Sequence, residues 1–215
     1  MKAVRLQLAT RTLLNPKAPQ WARVPSEDVR MGGTRADLQP SNYVRTSWAG
    51  KAVGAVRLLK VRAAHNGKHV FFRLEWPDAT ENAGYANGSV FPDAAAVLFP
   101  LNGGSPLDRM GSAAAPLNAW YWRASLPAGG GQNLIVRGFA SEEQTAGRYI
   151  QTRALWDDGT WRLVVARPLE VVSGETVRLA PGHPASVAFA VWEGSSQERG
   201  GLHSYSREWR DLAIE

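Results

Sequence analysis

The chain has 215 residues, of which 44% are hydrophobic and 20% charged, and these values suit one globular domain spanning residues 1–215. Its net charge is +6, but the arginines are scattered singly, which disfavours a nucleic-acid surface and favours a basic face for an acidic protein partner. The absence of cysteine excludes disulfides, a covalently attached c-type haem, a Cys-ligated iron–sulfur cluster and a thiolate zinc site.

The first predicted elements are two strands at residues 56–63 and 68–76. They flank Asn66-Gly67, which is typical of a two-residue hairpin turn. In the second strand Phe72 and Trp76 share one face with the other apolar residues, while Arg73 points the other way. Because no long segment has a helical period, we expect an antiparallel β-sandwich with few short helices.

The remaining strands are predicted from alternating apolar residues punctuated by Gly and Pro. Residues 148–156 and 161–167 form a second hairpin around an Asp-Asp-Gly-Thr turn. Further strands are expected at residues 95–99, 118–124, 134–139, 186–192 and 209–214. The two longest loops are then 77–94 and 100–117, and loops of this length usually serve a function.

No apolar run approaches the 18 residues that would suggest a membrane span. Residues 1–6 are not followed by the apolar core of a signal peptide. Three alternatives therefore stay open: a leader was removed, the protein is exported while attached to a partner, or the protein is cytoplasmic.

Met110 is the residue that most directly suggests a function. It is one of three methionines and lies among turn-forming neighbours, between Arg109 and Gly111, where a thioether is badly placed for filling a core. This setting favours presentation of the sulfur to a ligand.

Several ordered segments carry a resemblance to a known family. They include Phe91-Pro92-Asp93-Ala94 and Met110-Gly111, and they lie at residues 14–21, 63–68, 74–80, 91–100, 110–111, 116–122, 189–194 and 198–209. Together these segments resemble the haem b-binding gamma subunits of the ethylbenzene dehydrogenase and dimethylsulfide dehydrogenase group, which also includes selenate and chlorate reductases.

The resemblance implies that Met110 is an axial ligand of haem iron. Related proteins often use a lysine in the closing segment as the second ligand, but here no lysine lies beyond residue 68. The matching position is His203, and a neutral imidazole ligates iron more easily than a lysine, which must first lose a proton. His183 is the main competitor, an N-terminal lysine is the remaining possibility, and His65 and His69 are expected to face solvent.

The residues around the cofactor are less well defined by the sequence. Trp120 and Trp122 fall on one strand face after the Met110 loop, where they could line the pocket or equally form the sandwich core. Haem propionates need cationic or hydrogen-bonding partners, and Arg109 and Arg123 are the candidates nearby in sequence.

The function implied by the resemblance is non-catalytic electron transfer. The chain would carry one non-covalent b-type haem in a periplasmic heterotrimer with a molybdopterin catalytic subunit and an iron–sulfur subunit. It would exchange electrons with a carrier such as a soluble c-type cytochrome. The alternative is a haem-free module, similar to carbohydrate-binding sandwiches, that stacks exposed Trp on sugars. A hydrolase is disfavoured because the chain has no G-x-S-x-G, no H-E-x-x-H and no Cys nucleophile.

Overall fold

The computed structural model describes residues 1–171 and 176–215, which form mainly β-strands. The helical segments are short: α1 (Thr10–Leu13), α2 (Asn42–Ser47) and two 3₁₀ turns at Pro19–Arg23 and Ala36–Leu38. The strands in the described residues are β1 (Lys2–Arg5), β2 (Glu27–Gly33), β3 (Leu58–His65), β4 (His69–Pro77), β5 (Ala94–Pro100), β6 (Leu117–Arg123), β7 (Gln132–Val136), β8 (Glu142–Gln144), β9 (Gln151–Trp156), β10 (Thr160–Pro168), β11 (Ala185–Trp192), β12 (Ser204–Ser206) and β13 (Arg210–Ile214).

The strands build two facing sheets, which confirms the predicted β-sandwich. Sheet I has the order β9-β10-β4-β3, and sheet II has the order β8-β7-β6-β5-β11. Strand β2 joins them, because its first half pairs with β3 and its second half pairs with β12 beside β11. The pairing is antiparallel except at β1, which runs parallel to β3 and β13.

The core between the sheets is built from aromatic side chains. Phe72 of sheet I meets Phe99, Trp120 and Phe189 of sheet II, with ring centroids 5.9–6.3 Å apart in edge-to-face contacts. Such pairs contribute about 0.5–1.5 kcal/mol each beyond the area they bury. The predicted inward face of β4 is therefore confirmed.

Both predicted hairpins are present, but the environment of the first differs from expectation. His65 is only 2% exposed, because β1 pairs alongside the end of β3 and Leu6 N donates to His65 O at 2.8 Å. His69 is half-buried, and its Nδ1 lies 3.3 Å from Thr10 Oγ1. The expectation that both histidines face solvent was wrong, since no residue pattern indicates that the N-terminal segment covers this hairpin.

The outer face of sheet II is covered by loops. Residues 101–116, between β5 and β6, fold over it and bring Leu107 and Met110 onto the strands. The segment after β7 adds Phe139, and the segment before β12 adds His203. This covered face is where the candidate site lies.

Candidate haem site

The outer face of sheet II is floored by small side chains. Ala96 and Ala119 point outward from β5 and β6, and Ala190 of β11 pairs with Ala96. Their neighbours in sequence point into the core, because successive side chains of a strand alternate between faces. Adjacent alanines leave a flat apolar floor, which suits a planar apolar ligand.

Above this floor is an open cleft. Its cavity volume is about 270 Å³, just under the range of about 300–1,000 Å³ typical of ligand sites, so a large ligand would extend beyond its open mouth. Apolar walls are provided by Met110, Leu134, Phe139 and Trp192. The polar lining residues are Tyr121, Arg123, Gln132, Glu142 and Gln144. An apolar chamber with polar groups can hold an apolar ring system whose substituents are charged.

Met110 lies in the loop as predicted, but the expectation that it is badly placed for core packing was wrong, because it is buried. Its exposed fraction is 6%, and it packs in an apolar cluster with Leu107 and Val136 while lining the cleft. Its φ of +59° is rare for a residue with a side chain and costs about 1–3 kcal/mol. The conformation is held by its own backbone: Met110 N donates to Leu107 O, and Met110 O accepts from Gly138 N at 3.0 Å.

His203 is completely buried rather than lying on a surface loop. Its Nδ1 is 3.2 Å from the carbonyl oxygen of Gly200, and its Nε2 is buried with no hydrogen-bond partner among the described residues. Burial lowers the pKa of His203 to about 4, so the ring is neutral at pH 7. A neutral ring that donates through Nδ1 leaves the lone pair on Nε2, the form in which histidine binds metals.

The peptide around His203 is held by residues that the sequence did not point to. Thr34, directly after β2, exchanges two hydrogen bonds with the His203 backbone: Thr34 N donates to His203 O at 2.9 Å, and His203 N donates to Thr34 Oγ1 at 3.1 Å. The hydroxyl of Thr34 also donates to Gly201 O at 2.7 Å. Trp192 donates from Nε1 to Gly200 O at 2.8 Å. No short motif marks these partners, which are up to about 170 positions apart.

Trp120 and Trp122 do not line this cleft. Both belong to the core between the sheets, where Trp122 lies 5.1 Å from Trp161, and Trp120 is fully buried. The sequence left open whether these two tryptophans line the pocket or pack in the core. The expectation that they line the pocket was wrong, and both are core residues. Tyr121, between them, faces the cleft instead, and burial raises the pKa of its hydroxyl to about 12. Because successive side chains of β6 point to opposite faces, Tyr121 lies on the other face from Trp120 and Trp122. The sequence alone does not show which of the two faces borders the cleft.

The two candidate arginines are placed very differently. The side chain of Arg109 is 62% exposed, does not line the cleft, and forms a long ion pair with Asp108, with its Nε 4.0 Å from the carboxylate. Arg123 lines the cleft, donates from Nη1 to the Tyr85 hydroxyl at 3.1 Å, and has a buried Nε without a partner in the described part of the chain.

The competing ligands lie elsewhere. His183 is exposed, with its Nδ1 3.3 Å from Pro181 O, and it borders a different depression that includes Met1 and Ile214. The five lysines are exposed and none of them lines the cleft.

Comparison with known proteins identifies the family. The sequence model of the family described as ethylbenzene dehydrogenase matches residues 18–135 and 131–204, which include Met110, Trp192 and His203. The chain belongs to the ethylbenzene dehydrogenase family.

Named relatives agree with the family assignment. The chain is 33% identical over 195 residues to a protein of Haloferax mediterranei named as a respiratory nitrate reductase heme subunit. It is 30% identical over 208 residues to the chlorate reductase subunit gamma of Ideonella dechloratans, and 29% identical over 205 residues to the dimethylsulfide dehydrogenase subunit gamma of Rhodovulum sulfidophilum. These alignments cover 90%, 96% and 93% of this chain but 66%, 82% and 74% of the relatives.

Solved structures share the fold of this member of the ethylbenzene dehydrogenase family. A carbohydrate binding module of family 9 from Caldicellulosiruptor kristjanssonii, in complex with glucose, matches with a TM-score of 0.53 at 10% identity. The match covers 100% of this chain and 95% of that one. At this identity the likeness shows the fold alone. Among the described residues, no helix combines the length and the apolar character needed to cross a membrane.

Proposed function

We propose that this chain is an electron-transfer subunit that holds one non-covalent b-type haem between Met110 and His203. The observation that carries the proposal is the buried Nε2 of His203, which has no hydrogen-bond partner among the described residues. The His203 ring does not itself line the cleft, but it packs against Trp192, a wall of the cleft that Met110 also lines. Leaving a buried polar atom unpaired costs about 1–3 kcal/mol, and a ligand that binds to this nitrogen would remove that cost.

The chemistry of the two side chains fits haem iron. His203 is already desolvated and neutral, so it can bind without first losing a proton, whereas a lysine would require roughly 4–5 kcal/mol at pH 7. Met110 offers a soft thioether, which favours ferrous iron and raises the reduction potential. When bound, the haem supplies reversible one-electron transfer.

The cleft supports the rest of the cofactor. The alanine floor and the rings of Phe139 and Trp192 would contact the porphyrin. Arg123 would donate to a propionate from its buried Nε, which has no partner among the described residues. Attachment is non-covalent because the chain contains no cysteine. Arg109 is too exposed to contribute more than a weak, screened interaction.

The partners follow from the family. Its relatives are named as gamma or heme subunits of nitrate reductase, chlorate reductase and dimethylsulfide dehydrogenase. We infer that this chain docks in the periplasm on an iron–sulfur subunit, which is itself bound to a molybdopterin catalytic subunit. It would relay electrons to or from a soluble c-type cytochrome. Substrate chemistry would then occur on the partner.

The haem-free sugar-binding alternative is less well supported. A stacking platform needs an exposed aromatic side chain, yet all nine tryptophans are buried or half-buried. The exposed large apolar side chains of the described residues are Tyr43, Leu58 and Tyr85, which lie on separate segments.

The direct test is to purify the chain from its native host and measure its haem. We expect one haem b per chain in a pyridine haemochrome assay, together with copurifying molybdenum and iron–sulfur subunits. A colourless protein that takes up no haem on reconstitution would refute the proposal, and so would a covalently bound haem. A lone monomer in native mass spectrometry would refute the docking part only.

A further inference from the structure

A second cluster of chemically active side chains lies away from the cleft, where the loop between β4 and β5 meets the end of β11. Asp78, Asp93 and Glu193 are 5%, 0% and 8% exposed, and one carboxylate oxygen from each lies within 4.8 Å of the others. None of the three makes an ion pair with a Lys, Arg or His within the described residues.

Two of the carboxylates are well supplied with hydrogen-bond donors. Asp93 accepts from Gly194 N at 2.8 Å, and from Asn82 N and Trp161 Nε1 at 2.9 Å each. Glu193 accepts from Ser195 and Ser196. The donors to Asp93 favour its charged form and oppose the rise in its pKa that burial causes.

Asp78 differs from the other two because one of its buried oxygens lacks a well-placed hydrogen-bond donor among the described residues. Its Oδ1 accepts from Thr80 N at 3.1 Å, but its Oδ2 is buried and has no hydrogen bond of normal geometry among the described residues. The Trp76 indole has only a weak lowering effect on the pKa of Asp78. Burial, with the charge of Asp93 next in importance, raises the pKa of Asp78 to about 7, and burial raises that of Asp93 to about 6. Three buried acids with no cationic partner are unfavourable unless protons or a metal ion compensate them.

We propose that Asp78, Asp93 and Glu193 bind one hard divalent cation, for which Ca²⁺ is the best match. Oxygen-only ligands favour Ca²⁺ or Mg²⁺ over softer metals. Two oxygens that share one Ca²⁺ can lie up to about 5 Å apart, since each bond is about 2.3–2.6 Å long, and the spacing of the three oxygens meets this limit. Ca²⁺ also tolerates irregular geometry, whereas Mg²⁺ requires a near-ideal octahedron.

Such an ion would have a structural consequence. It would tie residues 78–93 to the end of β11, just before the segment that carries His203. The loop it fastens also contains Tyr85, the hydrogen-bond partner of Arg123. The inference rests on the acidic cluster and on the buried Oδ2 of Asp78, and it does not require a haem.

The test uses the full chain after EDTA treatment and dialysis. Tb³⁺ is the first probe, because Trp161 donates to Asp93 and can sensitise the luminescence of a lanthanide bound there. We expect saturation at one Tb³⁺ per chain and displacement by Ca²⁺. At a Ca²⁺ concentration about 100 times its Kd, the thermal midpoint should rise by at least about 3 °C.

The variants decide whether the signal comes from this cluster. Asp78→Asn is nearly isosteric and removes one buried charge, so near-UV circular dichroism should show a native fold while Tb³⁺ affinity falls at least tenfold. The matched control is Asp28→Asn, an exposed acid on β2, which should bind as the wild type does. Sensitised luminescence that Asp78→Asn leaves unchanged would overturn the proposal. The same holds for a wild-type protein with neither Tb³⁺ luminescence nor a Ca²⁺-dependent midpoint.

Discussion

Trp192 and His203 lie with their ring centroids 4.5 Å apart, and both donate to one acceptor, the carbonyl oxygen of Gly200. The indole Nε1 is 2.8 Å from that oxygen and the imidazole Nδ1 is 3.2 Å from it. The shared acceptor fixes the plane of the imidazole before any ligand binds. The unpaired Nε2 is therefore oriented by the protein, as second-sphere partners orient metal-binding histidines.

The first prediction concerns His203. We expect His203→Ala to lose the low-spin, six-coordinate haem spectrum, because its Nε2 would be one of the two axial ligands. The exposed His183 provides the control, and His183→Ala should keep the wild-type spectrum. The opposite pattern would move the ligand to His183, and no change in either variant would point to a lysine.

The second prediction separates the sulfur of Met110 from its volume. Met110→Leu keeps most of the packing in the apolar cluster and should cost under about 1.5 kcal/mol of stability. It should nevertheless lower the midpoint potential or leave the iron five-coordinate, because leucine has no donor atom. Met110→Ala should show the same spectral change with a larger loss of stability, about 2–5 kcal/mol. An unchanged spectrum and potential in Met110→Leu would show that the residue serves packing alone.

Sequence patterns predicted the local features of this protein well. The turn at Asn66-Gly67 and the alternation of β4 each depend on residues close together in the chain, and both are confirmed. The prediction that Met110 lies in a loop likewise depended on its immediate neighbours in sequence, and the structure places it in the loop between β5 and β6. The family resemblance then directed attention to His203, which composition alone would not single out from four histidines.

Features that depend on long-range packing could not be predicted in this way. Burial of His65 depends on β1, a strand of four residues with little pattern of its own. The side on which Trp120 lies depends on which sheet face the loops cover. Thr34 supports His203 only because β2 crosses from one sheet to the other, and no local signal marks such a crossing.

The third prediction concerns the haem propionates. Arg123→Gln should weaken haem binding about tenfold or more, because the cleft would lose its charged donor and a charge-assisted hydrogen bond contributes about 1.5–3 kcal/mol. Arg109→Gln is the matched control and should change the haem affinity by less than a factor of about three, since its side chain is 62% exposed. The measurement is transfer of haem to apomyoglobin, timed for each variant. Equal transfer rates for the two variants would contradict the assignment of Arg123.

The last prediction tests the support of the segment that carries His203. Glu198 is 2% exposed, and its carboxylate accepts from three backbone N–H groups: Gly54 at 2.6 Å, Ala55 at 2.9 Å and Glu193 at 3.1 Å. Burial raises the pKa of this carboxyl group, while the same three N–H groups oppose the shift. In Glu198→Gln one oxygen becomes an NH₂ group, so at least one buried backbone N–H would face another donor.

Leaving a buried donor unsatisfied costs about 1–3 kcal/mol, and we expect Glu198→Gln to lower the free energy of unfolding by that amount. Urea denaturation should show a lower midpoint with an unchanged slope, because the surface exposed on unfolding stays the same. Glu208→Gln is the control, since Glu208 is exposed and the change should stay within about 0.5 kcal/mol. If the two variants unfolded at the same urea concentration, the three hydrogen bonds would not anchor this segment. The position of His203 would then depend on Thr34 and Trp192.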